Sequence, residues 1–256
     1  MSRPSTLLGL IAVALVLLAA ASAAGGDDAA VFAARFKRSG LVTNEFAYWN
    51  PRDGRAHRSP DWQIGSGSLF ARSGVGWTGV PGACNPDPAS RTCTDSAIFR
   101  LTTRRADFAD ARVSFSLRVL GLTTTAKTPA VPWDGVHVWL RYRTESTLYY
   151  ASVARRDGHL IIKKKCPGGP SNGGTYYVLA ERSGFPILLN RWRPVAADAT
   201  DLADGAVRLR LEIDGQTRLT AVDHGIGCAP LRGPGRVGIR GDNANFEFRS
   251  FTVRNA

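Results

Sequence analysis

The stretch Asp134–Lys165, "DGVHVWLRYRTESTLYYASVARRDGHLIIKKK", decides the fold. It reads as three β-strands over 135–143, 147–154 and 159–165, joined by tight polar turns. Side chains two apart along a strand share a face. On the first strand Val136, Val138, Leu140 and Tyr142 make one face, and His137, Trp139, Arg141 and Arg143 the other. On the second, Tyr149, Ala151 and Val153 oppose Tyr150 and Ser152. On the third, Leu160 and Ile162 oppose Ile161 and Lys163. One side can bury a core, while the other collects rings and cations.

Further strands read outward from this block at 31–36, 68–72, 97–102, 112–120, 175–180, 206–213, 217–223, 235–240 and 245–254. On 112–120, Val113, Phe115, Leu117 and Val119 face the core, and Ser114, Ser116 and Arg118 the open side. Asp157-Gly158 and Asp214-Gly215 sit between strand pairs as type I′ hairpin signals, because both central residues of that turn need positive φ. No helical pattern of about 10–15 residues alternates with the strands, which argues against a parallel α/β sheet. The expected class is all-β: an antiparallel β-sandwich of the jelly-roll kind.

Residues 1–24 read as a secretory signal peptide. Arg3 precedes an apolar run from Leu7 to Ala21, and small residues follow to Ala24. The run falls short of the roughly 20 residues that span a bilayer. Cleavage near Gly25 leaves one expected domain over 25–256, a monomer with no membrane span. Of 33 cations and 21 anions in the chain, cleavage removes only Arg3, so the mature net charge is 32 minus 21, or +11. That charge suggests an anionic partner. Nucleic acid is not expected, because no nucleic-acid motif is visible and the arginines are scattered; the one cluster is Lys163–Lys165.

An even cysteine count in an exported chain suggests disulfides. Cys84, Cys93, Cys166 and Cys228 allow three connectivities, of which Cys84–Cys93 with Cys166–Cys228 is favoured. The first pair would staple a short turn-rich loop, and the second would join two Gly/Pro-rich loops. Zinc is not supported, for lack of C-x-x-C spacing and His pairs. In "GDNAN", Asp242 and Asn243 offer hard oxygens for a structural Ca²⁺; a local turn explains the same residues. No other cofactor is suggested, and no nucleophile elbow, phosphate loop or HExxH motif is present.

The block at 134–165, together with "VRLRLEIDGQTRLTAV" at 207–222 and "GRVGIRGDNANFEFRSFTV" at 235–253, resembles the concanavalin A-like lectin/glucanase superfamily. More narrowly, it is similar to secreted jelly-roll, laminin-G-like bacterial domains of unassigned function. The resemblance covers roughly residues 30–255. It implies a fold shared by lectins, laminin-G-like modules, glycoside hydrolases and polysaccharide lyases, so activity must be argued from the site.

The expected site is one open sheet face carrying Arg118, His137, Trp139, Arg141, Tyr150 and Lys163, with Trp77 and Trp133 in loops at its rim. Aromatic planes stack on sugar C–H faces, and arginine or lysine recognises carboxylate or sulfate. The leading expectation is a secreted domain that binds a polysaccharide, in particular an acidic one. The alternative is a lyase acting by β-elimination on uronic-acid glycans, with His137 and Tyr150 as acid–base groups. Alginate lyases of this fold carry Q-[IV]-H and Y-x-K-x-G-x-Y. Here Gly135 stands at the Gln position, and the Lys and second Tyr are missing. The E-x-D-x-E motif of the glycosidases is matched only by Glu212 and Asp214, with Gln216 in third place. A laminin-G-like interaction domain is the third reading.

Intact-mass measurement checks the processing reading. We expect a mature chain starting near Gly25 and no alkylation without prior reduction. A full-length mass, or a thiol that reacts in the unreduced protein, would contradict it.

Overall fold

The computed structural model describes residues 31–46, 52–83, 94 and 96–256. The signal segment 1–24 and the Cys84–Cys93 pairing lie outside the described residues. Among the described residues there are sixteen strands and no helix. They are Phe32–Ala33 (β1), Gly40–Thr43 (β2), Trp62–Ser66 (β3), Leu69–Arg72 (β4), Val75–Trp77 (β5), Ile98–Thr103 (β6), Ala111–Leu122 (β7) and Gly135–Thr144 (β8). Then follow Thr147–Arg155 (β9), Leu160–Ser171 (β10), Gly174–Arg182 (β11), Arg193–Asp201 (β12), Val207–Ile213 (β13), Gln216–Asp223 (β14), Arg236–Asp242 (β15) and Ala244–Asn255 (β16).

Two antiparallel sheets form a sandwich. The nine-stranded sheet runs β14-β13-β12-β7-β16-β5-β4-β2, with β1 also on β16. The seven-stranded sheet runs β11-β10-β9-β8-β15-β6-β3. The core follows from period-2 alternation. On β7, Val113, Phe115, Leu117 and Val119 are buried between half-exposed neighbours, and β13 buries Val207, Leu209, Leu211 and Ile213 in the same way. Phe246, Phe248 and Phe251 on β16 add rings packed largely edge-on against Phe99, Phe36 and Trp62.

The hairpins divide. Asp214 and Gly215 both have positive φ, 56° and 72°, as a type I′ turn requires. At Asp157-Gly158 only Gly158 does (72°), and its amide donates to the Arg155 carbonyl at 2.9 Å. That is a type I turn followed by a left-handed glycine, not the expected I′ pair. A second I′-like turn, Asn172-Gly173 (47° and 72°), joins β10 to β11 and carries that hairpin well past Lys165.

A polar cluster ties the sheets together. Lys164 on β10 is fully buried and its Nζ lies 2.8 Å from Asp223 Oδ2 on β14. The Tyr149 hydroxyl donates to the same carboxylate at 2.6 Å and accepts from the Leu231 amide at 2.9 Å. Burial, followed by the Asp223 hydrogen bond, raises the Tyr149 phenol far above its ordinary value. Beside it, the Cys166–Cys228 disulfide links β10 to the loop after β14, with 5.9 Å between the Cα atoms.

Removing one partner of a buried ion pair costs about 3–5 kcal/mol, because the other charge is left uncompensated. We therefore expect Lys164→Met to lower stability by about that much in urea unfolding, and Lys164→Met with Asp223→Leu to recover part of the loss. A Lys164→Met variant within about 1 kcal/mol of wild type would rule out this role.

Candidate functional site

The site lies on the outer face of the seven-stranded sheet. Register sets its floor: His137 opposes Ser152 and Arg240, Trp139 opposes Tyr150, Tyr150 opposes Lys163, and Lys165 opposes Leu148 and Tyr176. A concavity of about 370 Å³ opens above it. Its lining includes Trp133, Tyr150, Lys163, Lys165, Tyr176 and Arg240, with Pro170–Asn172 of the β10–β11 hairpin tip as a wall. Trp133 is 50 % exposed, the largest ring offered to solvent among the described residues.

The floor is aromatic. The His137 and Tyr150 rings stack at 4.4 Å, and Tyr176 lies 5.6 Å from Tyr150. Trp139 stacks on Tyr142 at 5.0 Å, and these two with Leu148, Tyr150 and Tyr176 form an apolar cluster separate from the core. Lys163 and Lys165 bring their ammonium groups to 5.8 and 5.0 Å from the Tyr176 centroid, within cation–π range. The Lys165 ammonium also donates to the Glu145 carbonyl.

Electrostatics follow from burial. Arg240 holds Asp242 in a fork, Nε–Oδ2 2.7 Å and Nη2–Oδ1 2.8 Å, and its Nη1 lies 3.4 Å from the Tyr176 hydroxyl. Burial alone would raise the Asp242 carboxyl, but the Arg240 charge and the His137 contact hold it well below the usual range. Burial pushes the His137 imidazole down to about 4, against the opposing pull of Asp242. Its Nε2 is 3.4 Å from Asp242 Oδ2, and neither ring nitrogen makes a well-formed hydrogen bond. Burial, then the neighbouring Arg240, brings the Lys165 ammonium down to about 8. Burial lowers the Lys163 ammonium as well and raises the Tyr150 phenol well above its ordinary value.

Several expected site residues stand elsewhere. Arg141 turns inward: its φ is 47°, it is 1 % exposed, and its guanidinium bonds Asp110 (2.8 Å), Asp201 and the Leu231 carbonyl (2.9 Å). This bulge inserts one residue into β8, so Tyr142, expected in the core, is the residue that joins the open face. Only glycine fits at 235, where a Cβ would lie 2.6 Å from the Arg141 carbonyl carbon. Arg118 is on β7, in the other sheet, paired with Glu247. Trp77 is also in that sheet and buried, its Nε1 donating to Asn245 Oδ1 at 2.7 Å.

His137, Trp139 and Tyr150 are on the predicted face but buried within it, at 0, 3 and 5 % exposure. Lys163 and Trp133 are at the groove. At the expected Ca²⁺ residues both Asp242 oxygens are taken by Arg240, and the Asn243 Nδ2 donates to Asp134 Oδ1 (3.0 Å) and the Thr128 carbonyl (3.2 Å) while its Oδ1 is buried without a hydrogen-bond partner among the described residues. Among the described residues no group of three or more His, Cys, Asp or Glu could hold a metal. Sequence reading missed Arg240, Tyr176, Lys165 and the hairpin tip. The alternation of "GIRGD" against its partner strands was the available signal for Arg240.

No family model matches the sequence, and no curated protein does. Solved structures match the fold. The chain is similar to the carbohydrate-binding module CBM66 from Bacillus subtilis, with TM-score 0.50 and 13 % identity over 76 % of this chain and 95 % of that one. It is similar to the exoplasmic/lumenal domain of VIP36 in its Ca²⁺/Man3GlcNAc-bound form, with TM-score 0.51 and 11 % identity over 88 % and 90 %. It is also similar to the metal-free carbohydrate recognition domain of Emp46p, with TM-score 0.50 and 13 % identity over 77 % and 88 %. At these identities the likeness speaks for the fold alone, an antiparallel β-sandwich of the concanavalin A-like jelly-roll type.

The buried imidazole makes stability pH-dependent. Its pKa is about 4 when folded against 6.5 as a free side chain, so between these values the unfolded chain binds more protons. Its contribution is full above 6.5 and declines as pH falls toward 4, by about 3 kcal/mol in all. Denaturant titrations across that window should show His137→Phe flattening the profile. Parallel profiles for variant and wild type would refute the assignment.

Proposed function

We propose that the protein is a secreted, monomeric domain over residues 25–256 that binds a short segment of acidic polysaccharide in the groove above β8–β11 and β15. The observation that carries this reading is the lining of one concavity by an exposed indole, Trp133, the Tyr176 ring, and the cations Lys163 and Arg240. The rings supply flat apolar area for sugar C–H faces. The cations supply charge for a carboxylate or sulfate, and Pro170–Asn172 supply polar backbone and side-chain groups at the wall. The lectins and the carbohydrate-binding module among the similar structures agree with this reading.

Catalysis is less well supported. His137 is fully buried beneath Tyr150 and has no path to a substrate. The Tyr150 phenol is raised, not lowered, which suits a packed ring better than a base at neutral pH. A side chain at 135, where the alginate lyases carry Gln, would place its Cβ 1.8 Å from the Ala154 carbonyl oxygen. Of the two acids of the partial glycosidase motif, Glu212 is forked by Arg112 and Asp214 is paired with Arg193.

Titration calorimetry with polyglucuronate, alginate, pectate and neutral dextran tests the proposal. Trp133→Ala should weaken binding by about 1–3 kcal/mol, roughly 5–200-fold, and Lys163→Gln should reduce both affinity and its salt dependence. Affinity should also fall as pH rises through about 8, where Lys165 loses its charge. Binding to dextran alone, insensitive to salt, would overturn the acidic-ligand reading. Appearance of unsaturated product near 235 nm, lost in Tyr150→Phe, would replace binding by a lyase.

A further inference from the structure

The outer face of the nine-stranded sheet has its own chemistry, independent of the groove. Its carboxylates lie underneath and its arginines on top. Glu247, 3 % exposed, accepts from Arg72 Nε and Arg118 Nε, each at 2.7 Å. Asp198, fully buried, accepts from Arg210 Nε at 3.1 Å and lies 3.5 Å from Arg112 Nη1. Glu212 is forked by Arg112 at 2.9 and 2.6 Å. The arginine side chains above them remain exposed: Arg72 by 40 %, Arg210 by 36 %, Arg118 by 34 % and Arg112 by 30 %. Arg118 and Arg249 also lie over the Trp192 ring, at 4.6 and 4.4 Å, which holds their guanidinium planes. A partner therefore meets preorganised guanidinium groups and almost no carboxylate.

We infer that this face is a second binding surface, for a sulfated polysaccharide. Arg72 on β4 and Arg118 on β7 each use Nε and one Nη2 hydrogen on Glu247, which leaves both Nη1 hydrogens and the second on Nη2, and the shared carboxylate brings the two guanidinium groups beside one another. Arg210 keeps both Nη groups on β13. A pendant sulfate ester presents three terminal oxygens, one more than a carboxylate, and so accepts from both of these neighbouring guanidinium groups at once. From β13 to β4 there are five strand spacings, or roughly 24 Å at about 4.8 Å each, room for several sugars laid across the strands. The arginines outnumber the acids among the described residues of this face, so the site keeps a positive surplus when its ion pairs are intact.

The test uses dextran sulfate, with neutral dextran, polyglucuronate and single-stranded DNA as comparison polymers, on the full secreted chain. We expect dextran sulfate to bind at physiological salt, and the combined Arg72→Gln, Arg210→Gln, Arg249→Gln variant to bind at least about tenfold more weakly. The same loss should appear in a Trp133→Ala, Lys163→Gln background, which lowers the groove's own contribution and so separates this surface from it. Phenylglyoxal labelling of the wild-type protein gives a second readout that does not depend on how the triple variant folds: dextran sulfate should protect Arg72, Arg118 and Arg210. Unchanged labelling, unchanged binding by a folded triple variant, or equal binding of polyglucuronate or DNA in the groove-weakened background would overturn the proposal.

Discussion

The buried contact between Lys164 and Asp223 governs much of this sandwich. A strand must alternate its side chains, so anchoring one residue sets the faces of its neighbours. Lys164 reaches through the core to a carboxylate on the opposite sheet, with the Tyr149 hydroxyl on the same oxygen pair. Lys163 and Lys165 must then stand on the outer face, beside Tyr176. A run of three lysines thus does two jobs. The middle one joins the sheets, and the outer two charge the groove. The disulfide at Cys166 holds the same strand where its hairpin leaves the sandwich.

A second constraint is the bulge at Arg141. A residue with φ of 47° is unfavourable for a side chain with a Cβ, by about 1–2 kcal/mol. The inward guanidinium compensates with hydrogen bonds to Asp110, Asp201 and two main-chain carbonyls. The bulge re-aims the strand, so that Tyr142 stacks on Trp139 where a strict alternation would put arginine. An aromatic floor replaces a cationic one. The charge of the groove comes instead from Arg240 on the neighbouring strand and from the lysines of β10.

The two outer faces use arginine differently. On the smaller sheet, Arg240 is nearly enclosed and its carboxylate partner, Asp242, is also the neighbour of His137. On the larger sheet, arginines lie exposed over buried acids. The same pairing therefore serves as a rigid floor in one place and as a prepared surface in the other. The difference is depth of burial, which sets how much of each guanidinium meets solvent.

How much of this was legible in the residues depends on how local the cause is. Two-fold periodicity established an all-β sandwich, the core faces of β7 and β13, and the side of β8 that carries His137 and Trp139. Asp214-Gly215 marked its hairpin correctly, because turn conformation is a local property, and Cys166–Cys228 formed as favoured from the even cysteine count although the two lie 62 residues apart. Partner choice is not local. Arg118 shares its alternation with any neighbour, and only the assembled sheet puts β7 between β12 and β16, away from β8. β12, "RPVAADATD", escaped notice because alanine, aspartate and proline are poor strand formers; its Asp198 is stabilised by Arg112 and Arg210 from adjoining strands. The bulge at Arg141 and the depth of Trp139 were likewise decided by tertiary structure, since a one-residue shift exchanges the faces of everything beyond it and no single strand reveals what will pair across it.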